Sequence, residues 1–294
     1  MLAVLGPTAS AKTKTAVEIA LRIGAEIISV DSMQVYRGMD IGTAKPTLIE
    51  RKGVLHHMID IVDPEYDFSV AEFRRIGREI IERSSVPLVI AGGSGLHFRA
   101  LVDPMSFAPT DENLRAELEQ RPIEDLTAEL TRLDPKAGLH VDLANHRRVV
   151  RALEITLLSG ETPSARAASA EAEELRRYVP EIEFRAVGID PGSALDERID
   201  RRLEEMRAGG LLEEVVRRKD RLGRTARGAV GYRELLAHLA GEITLDEAFE
   251  AIAQNTRKLA RKQRTWFQRD PRIQWIPWIE DDETRVERAM EVLS

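Results

Sequence analysis

The chain contains no cysteine, which excludes disulfides, thiolate metal ligands and a cysteine nucleophile. That absence fits a reducing compartment, and a cytoplasmic protein is expected. No segment approaches the roughly 18 consecutive apolar residues of a membrane span, so no membrane partner is expected. An apolar run begins at once after Met1, so no secretory leader is expected either. Aromatic residues make up only 5% of the 294 positions, and the formal net charge is −7. An acidic average argues against bulk nucleic-acid binding, although a local basic patch can override an average. The length suits one large domain or two modest ones.

What is present begins at the first residues. Leu2-Ala3-Val4-Leu5 reads as a short apolar strand, followed by the turn Gly6-Pro7-Thr8-Ala9-Ser10-Ala11 and then Lys12-Thr13 opening a helix over residues 15–23. Gly6, Lys12 and Thr13 fit the phosphate-binding pattern G-x-x-x-x-G-K-[ST]. In that pattern successive amides and a helix N-terminus wrap a polyanion, lysine neutralises it, and a hydroxyl can hold Mg²⁺. The second glycine of the pattern is Ala11, whose methyl group stands where backbone normally approaches phosphate.

Residues 25–30 form a second apolar run that ends at Asp31-Ser32. Read as a buried parallel strand, it places Asp31 at the carboxyl edge, where ligands of open α/β sheets bind. Asp31 either faces that ligand or caps the following turn. Residues 34–46 are a polar loop with two glycines and a proline. His56 and His57 open a strand predicted over residues 56–61. Adjacent strand residues point to opposite faces, so the two histidines are not expected to share one ion. Residues 69–84 carry an amphipathic helix with a Ser69-x-x-Glu72 capping box. A strand over residues 87–91 then leads into a second glycine-rich turn, Gly92-Gly93-Ser94-Gly95.

From residue 110 to about 178 only helical signals occur, with residues 161–174 expected to be loosely ordered. Strand character returns at residues 184–189. Arg198 and Arg202 share a helix face at i, i+4, either salt-bridged to neighbouring glutamates or forming an anion clamp. Residues 256–272 hold seven cations against the single acid Asp270, with Trp266 and Phe267 among them. That pattern suits nucleic-acid backbone contact with stacking, or a solvated helix face. The expected fold is α/β: a P-loop NTPase-like parallel sheet flanked by helices over residues 1–108 and 180–294, with an inserted all-helical subdomain over residues 109–179.

Six motifs occur in order: the Gly6 to Thr13 turn, Val30-Asp31-Ser32-x-Gln34-Val35-Tyr36, Asp40-Ile41-Gly42-Thr43-Ala44-Lys45-Pro46, Gly92-Gly93-Ser94-Gly95-Leu96, Gly231-Tyr232-Arg233, and Thr256-Arg257-x-Leu259-Ala260-x-x-Gln263-x-Thr265-Trp266-Phe267. Together they resemble the tRNA dimethylallyltransferases, the IPP transferase family, over about residues 2 to 278. The resemblance implies a prenyltransferase of tRNA processing and modification, which moves a dimethylallyl group from dimethylallyl diphosphate to N6 of adenosine 37. It implies that Gly6, Pro7, Thr8, Ala9, Ser10, Ala11, Lys12 and Thr13 hold the diphosphate, with Mg²⁺ on Thr13. It casts Asp31 as general base, and Arg202 with Thr13 as catalytic groups on the leaving diphosphate. It assigns contacts with tRNA, the partner, to Asp31, Ser32, Met33, Gln34, Ser94, Arg147, Arg148, Arg151, Arg227, Tyr232, Arg233, Arg257, Arg261 and Lys262, in a monomer. Ser94 stands where the family usually has threonine, and His97 where tyrosine is common. Other readings are a prenyltransferase of free adenine nucleotides, a P-loop kinase, and a non-catalytic RNA-binding protein with a disabled loop.

Overall fold

The computed structural model describes all 294 residues, Met1–Ser294. Two compact units result: Met1–Val102 with Ile182–Ser294, and Asp103–Glu181. In the first unit β1 (Leu2–Leu5), α1 (Lys12–Ile23), β2 (Glu26–Val30), α2 (Leu48–Arg51), β3 (His56–His57), α3 (Val70–Arg83), β4 (Leu88–Gly92) and α4 (Gly95–Val102) precede the insertion. The second unit contains α5 (Glu112–Glu119), α6 (Ile123–Leu133), α7 (His146–Ser159), α8 (Pro163–Ala167) and α9 (Ala170–Arg176). The first unit resumes with β5 (Arg185–Asp190), α10 (Leu195–Ala208), α11 (Leu211–Arg218), α12 (Arg224–Arg227), α13 (Tyr232–Leu239), α14 (Leu245–Gln268), β6 (Ile273–Pro277) and α15 (Asp282–Leu293).

The six strands form one parallel sheet in the order β3-β2-β4-β1-β5-β6. Their apolar runs are buried on both faces, as parallel strands require. One face packs Ala3, Leu5, Ile28, Val30 and Ile90 on Phe73, Phe98 and Phe267. The other packs Val4, Ile27, Val89 and Val187 on Val17, Ile19 and Ala20 of α1. Leu5 of β1 and Val30 of β2 both pair with Gly92 of β4, so all three strands end at one level. That common edge carries the turns after β1, β2 and β4.

Two expectations are corrected. The strand at residues 56–61 stops after His57, because Met58 (φ 63°) and Asp60 (φ 56°) are left-handed and leave the ladder. His56 bonds the Val54 carbonyl and His57 pairs with Glu26, so the two rings serve separate partners. Residues 161–174 are ordered helix rather than loose chain. Thr162 and Ser169 cap α8 and α9 with their hydroxyls, and Pro163 takes the first helical position. Ser164 is anchored by its amide and hydroxyl to Asp134, both at 2.8 Å. The second unit has its own small core of Leu118, Leu126, Leu130, Val149 and Leu153.

Candidate functional site

The turn between β1 and α1 makes the floor of the site. Ala11 caps α1 in the left-handed conformation (φ 57°) with no side-chain hydrogen bond to the helix. The glycine of the motif is therefore replaced at a position with the left-handed backbone that glycine adopts without strain. A non-glycine residue there carries about 1–2 kcal/mol of strain. The amides of Ser10, Ala11, Lys12 and Thr13 find no acceptor in the protein, and the Ser10 hydroxyl is buried without a partner. Four convergent N–H groups and a hydroxyl make an anion-binding concavity.

Cations converge on the same turn. Lys12 Nζ donates to the Pro7 carbonyl at 3.0 Å. Arg198 Nε donates to the Ala9 carbonyl at 2.7 Å, and Arg202 Nη1 to Thr8 Oγ1 at 3.2 Å. The i, i+4 arginine pair of α10 is thus turned onto the phosphate loop rather than onto neighbouring glutamates. Burial lowers the Lys12 pKa to about 8, helped by the Arg202 charge and opposed by Asp31. Burial lowers Arg202 as well, again opposed by Asp31. Asp31 is thus the counter-charge shared by both cations.

Asp31 follows the last residue of β2. Its Oδ1 accepts the amides of Met33 (2.8 Å) and Gln34 (3.3 Å), while Oδ2 has no protein partner. The turn-capping and ligand-facing readings of this residue are therefore compatible. Opposite, Ser94 donates its amide to the Val30 carbonyl at 3.0 Å, and its hydroxyl lies 2.7 Å from His97 Nδ1.

Two cavities meet here. One, of about 330 Å³, is lined by Asp31, Ser94, Leu203, Met206, Leu259 and Trp266. The other, of about 760 Å³, is lined by residues 9–13 with Arg198 and Arg201. Lys12, Asp31, Thr43, Ala44 and Arg202 line both. One side of the junction is thus a cationic amide cradle, and the other is an apolar chamber with hydrogen-bonding groups at its end.

Residues 40–46 wall this junction. The buried Glu214 carboxylate accepts the amides of Asp40, Ile41 and Gly42 at 2.8, 2.8 and 3.0 Å, and the Tyr232 hydroxyl at 2.7 Å. Buried Lys45 donates to Asp40, Asp60 and the Tyr36 carbonyl at 2.6, 2.6 and 2.8 Å.

The chain matches the family model "IPP transferase" over residues 34–270 and a second, "Isopentenyl transferase", over residues 1–60. The chain belongs to the IPP transferase family. A tRNA dimethylallyltransferase of Bifidobacterium animalis subsp. lactis is 42% identical over 306 residues, covering 100% of this chain and 86% of that protein. One from Geobacter metallireducens is 43% identical over 291 residues, covering 95% and 92%. The crystal structure of full-length tRNA isopentenylpyrophosphate transferase from Bacillus halodurans superposes with a TM-score of 0.71 at 36% identity, covering 99% of this chain and 94% of that one. A eukaryotic dimethylallyltransferase acting on tRNA shares the fold, with a TM-score of 0.77 at 22% identity over 94% of this chain and 73% of that one.

Against this IPP transferase framework, the expected RNA contacts divide. Ser32, Met33 and Ser94 line the smaller, apolar cavity with Asp31 and Lys262. Arg261 and Lys262 are exposed on α14 without ion-pair partners, and Arg147 is exposed on α7. Others are committed to the protein. Tyr232 is fully buried, and burial, reinforced by Glu214, raises its pKa, so it stands in the wall of the site. Gln34 is buried, accepting from Ser29 and donating to the Thr43 and Ala44 carbonyls. Arg151 binds Glu154 and the carbonyls of Ala108 and Pro109. Arg257 pairs with Asp196 and Asp200, Arg227 donates to the Leu222 and Lys219 carbonyls, Arg233 pairs with Glu234, and Arg148 pairs with Asp142.

Sequence reasoning missed Gln263 and Glu214 as site residues. Gln263 Oε1 accepts the Thr8 amide at 2.8 Å, tying α14 to the phosphate loop. Its signal was weak: a polar side chain one turn after Leu259 on a basic helix. Glu214 had no signal, being one of two adjacent acids on α11 until the fold brings residues 40–42 onto it.

Proposed function

We propose that the chain transfers a dimethylallyl group from dimethylallyl diphosphate to N6 of adenosine 37 of tRNA. The observation that carries this reading is the junction of a cationic amide cradle with an apolar chamber ending at Asp31 and Ser94. A diphosphate ester laid in the cradle presents its allylic carbon to the junction. An adenine extruded from an anticodon loop enters the other chamber, as bases must leave the stack to be modified.

In the step itself, N6 attacks C1 of the allyl group and the C1–O bond breaks, its electron pair leaving on diphosphate. Asp31 Oδ2 accepts the proton that N6 loses. An aromatic amine is a weak nucleophile, so an aligned carboxylate acceptor is worth about 10²–10⁴-fold in rate. Lys12, Arg202 and the loop amides hold the charge that builds on the departing oxygen. The Thr13 side chain makes no hydrogen bond within the protein, and no group of three or more His, Cys, Asp or Glu side chains is placed to hold an ion alone. The Thr13 hydroxyl, at the opening of α1 beside the loop amides, is the group that would hold Mg²⁺. When bound, Mg²⁺ neutralises diphosphate charge. Trp266, Leu259 and Met206 give the chamber an apolar lining.

The exposed stripe of Lys258, Arg261 and Lys262 on α14, with Arg269 at its C-cap, suits the phosphate backbone of the RNA beside the chamber. Free adenine nucleotides would not need it. The protein is proposed to act as a cytoplasmic monomer; no helix is long and apolar enough to cross a membrane.

The test is nucleoside analysis of an unmodified anticodon stem-loop after incubation with the enzyme and dimethylallyl diphosphate. N6-dimethylallyl adenosine should form, and Asp31→Ala should lower its rate by about 10²–10⁴-fold while RNA affinity holds. Normal turnover in that variant removes Asp31 from the mechanism. Arg261→Ala with Lys262→Ala should weaken RNA binding about tenfold and lower the salt slope by about 2. An unchanged slope rejects the stripe as a phosphate contact.

A further inference from the structure

His97 is buried beside the chamber, and no step above uses it. It lies in the first turn of α4, 7% exposed, with its ring edge-on to Phe73 at 4.7 Å and 88°. Its Nδ1 lies 2.7 Å from the Ser94 hydroxyl. Burial lowers its pKa to about 4, and Asp31 opposes that shift. The ring is therefore neutral at physiological pH, so it neither attracts phosphate nor competes with Lys12 and Arg202. What it offers is one hydrogen bond, to Ser94.

Ser94 needs that bond. Its backbone is fixed, with the amide tied to the Val30 carbonyl at 3.0 Å. Its side chain is not fixed by itself, because an unbranched serine has three staggered positions and a freely turning hydroxyl. Phe73 and burial hold the imidazole, and the imidazole holds the hydroxyl. Ser94 Oγ then has its remaining hydrogen-bonding capacity for a group in the chamber beside Asp31.

We propose that His97 is a positioning residue for base recognition: it fixes the Ser94 hydroxyl in the orientation that meets the edge of the adenine next to Asp31. This rests on the acceptor reading given above. The bond raises the rate by pre-orienting a contact made to the base, so its effect belongs to the RNA substrate and not to the prenyl donor.

The test is a double-mutant cycle in prenyl transfer to an anticodon stem-loop, with wild type, Ser94→Ala, His97→Phe and the double variant. His97→Phe keeps a flat ring against Phe73 and removes the nitrogen. It should lower kcat/KM for the RNA about tenfold, with the KM for dimethylallyl diphosphate unchanged. Ser94→Ala should cost a similar factor, and the double variant should be no worse than Ser94→Ala. His97→Asn, whose amide reaches the place of Nδ1, should recover part of the loss, and His97→Leu, which also lacks the nitrogen, completes the cycle if the Phe variant does not fold. Independent losses that multiply in the double variant, a wild-type rate in His97→Phe, or an equal rise in donor KM would each overturn the inference. A wild-type enzyme that leaves the RNA unmodified removes the acceptor reading, and this inference with it.

Discussion

Residues 10–13 and residues 40–42 are two short runs of convergent amides at the same sheet edge. In the first, four N–H groups find no acceptor within the protein. In the second, three successive N–H groups donate to one buried carboxylate, Glu214. Both are anion concavities by the same physics. The difference lies in the source of the anion. A concavity filled by the protein's own carboxylate becomes a wall, and one left to a ligand becomes a binding site. The filled loop should therefore contribute stability and shape, and the open loop affinity.

The largest expected effect is on the filled loop. Glu214→Gln keeps one acceptor oxygen and sets an NH₂ group against donors, so it should cost roughly 2–4 kcal/mol in denaturant unfolding. Its affinity for inorganic diphosphate should remain within about twofold, because the open loop keeps its own amides. A large loss of diphosphate affinity with little loss of stability would merge the two roles that the comparison separates.

Lys12 provides the opposite case. Its pKa stands near 8 in the folded chain against 10.5 as the ordinary value. Below about pH 8 it is charged both folded and unfolded. Between about 8 and 10.5 the unfolded chain binds more protons, so this residue makes stability rise with pH in that window. Diphosphate affinity should fall across the same window as the ammonium is lost, which calorimetric titration at pH 7 and pH 9.5 would measure. Lys12→Met should lower that affinity without lowering stability. A variant that unfolds more readily yet binds diphosphate normally would contradict the assignment.

The smallest effect concerns Ala11. Glycine adopts the left-handed backbone without strain, so Ala11→Gly should stabilise the chain by about 1 kcal/mol or less, after the greater freedom of the unfolded glycine is offset. It should tighten diphosphate binding slightly. A destabilised Ala11→Gly would mean that the loop has adapted to alanine.

The two loops were not equally legible in the sequence. The open one is local: a strand, a turn and a helix start lie within a dozen residues, and Lys12 and Thr13 announce their chemistry by spacing. Asp31 was legible for the same reason, since it ends an apolar run at a sheet edge. The filled loop is not local, because residues 40–42 and Glu214 meet only through tertiary folding. The resemblance assigned Tyr232 to RNA, whereas its hydroxyl serves Glu214 and its ring is core. The same holds on α14. Arg257 and Arg261 look alike in sequence, but the first faces Asp196 and Asp200 on α10 while the second is exposed. The capping box of Ser69 and Glu72 was legible, whereas the Thr162 and Ser169 caps lay hidden in a stretch rich in Ala, Ser and Glu that read as loose chain. The early end of β3 was not, because left-handed backbone at Met58 and Asp60 carries no sequence mark.

The most direct test of the central claim is single-turnover transfer from labelled dimethylallyl diphosphate, offered an unmodified stem-loop bearing A36-A37-A38 alongside free AMP. Label on A37 of the stem-loop alone is the result predicted for an open cradle feeding an RNA-sized chamber. Label on AMP, or RNA bound with label on neither, would contradict it.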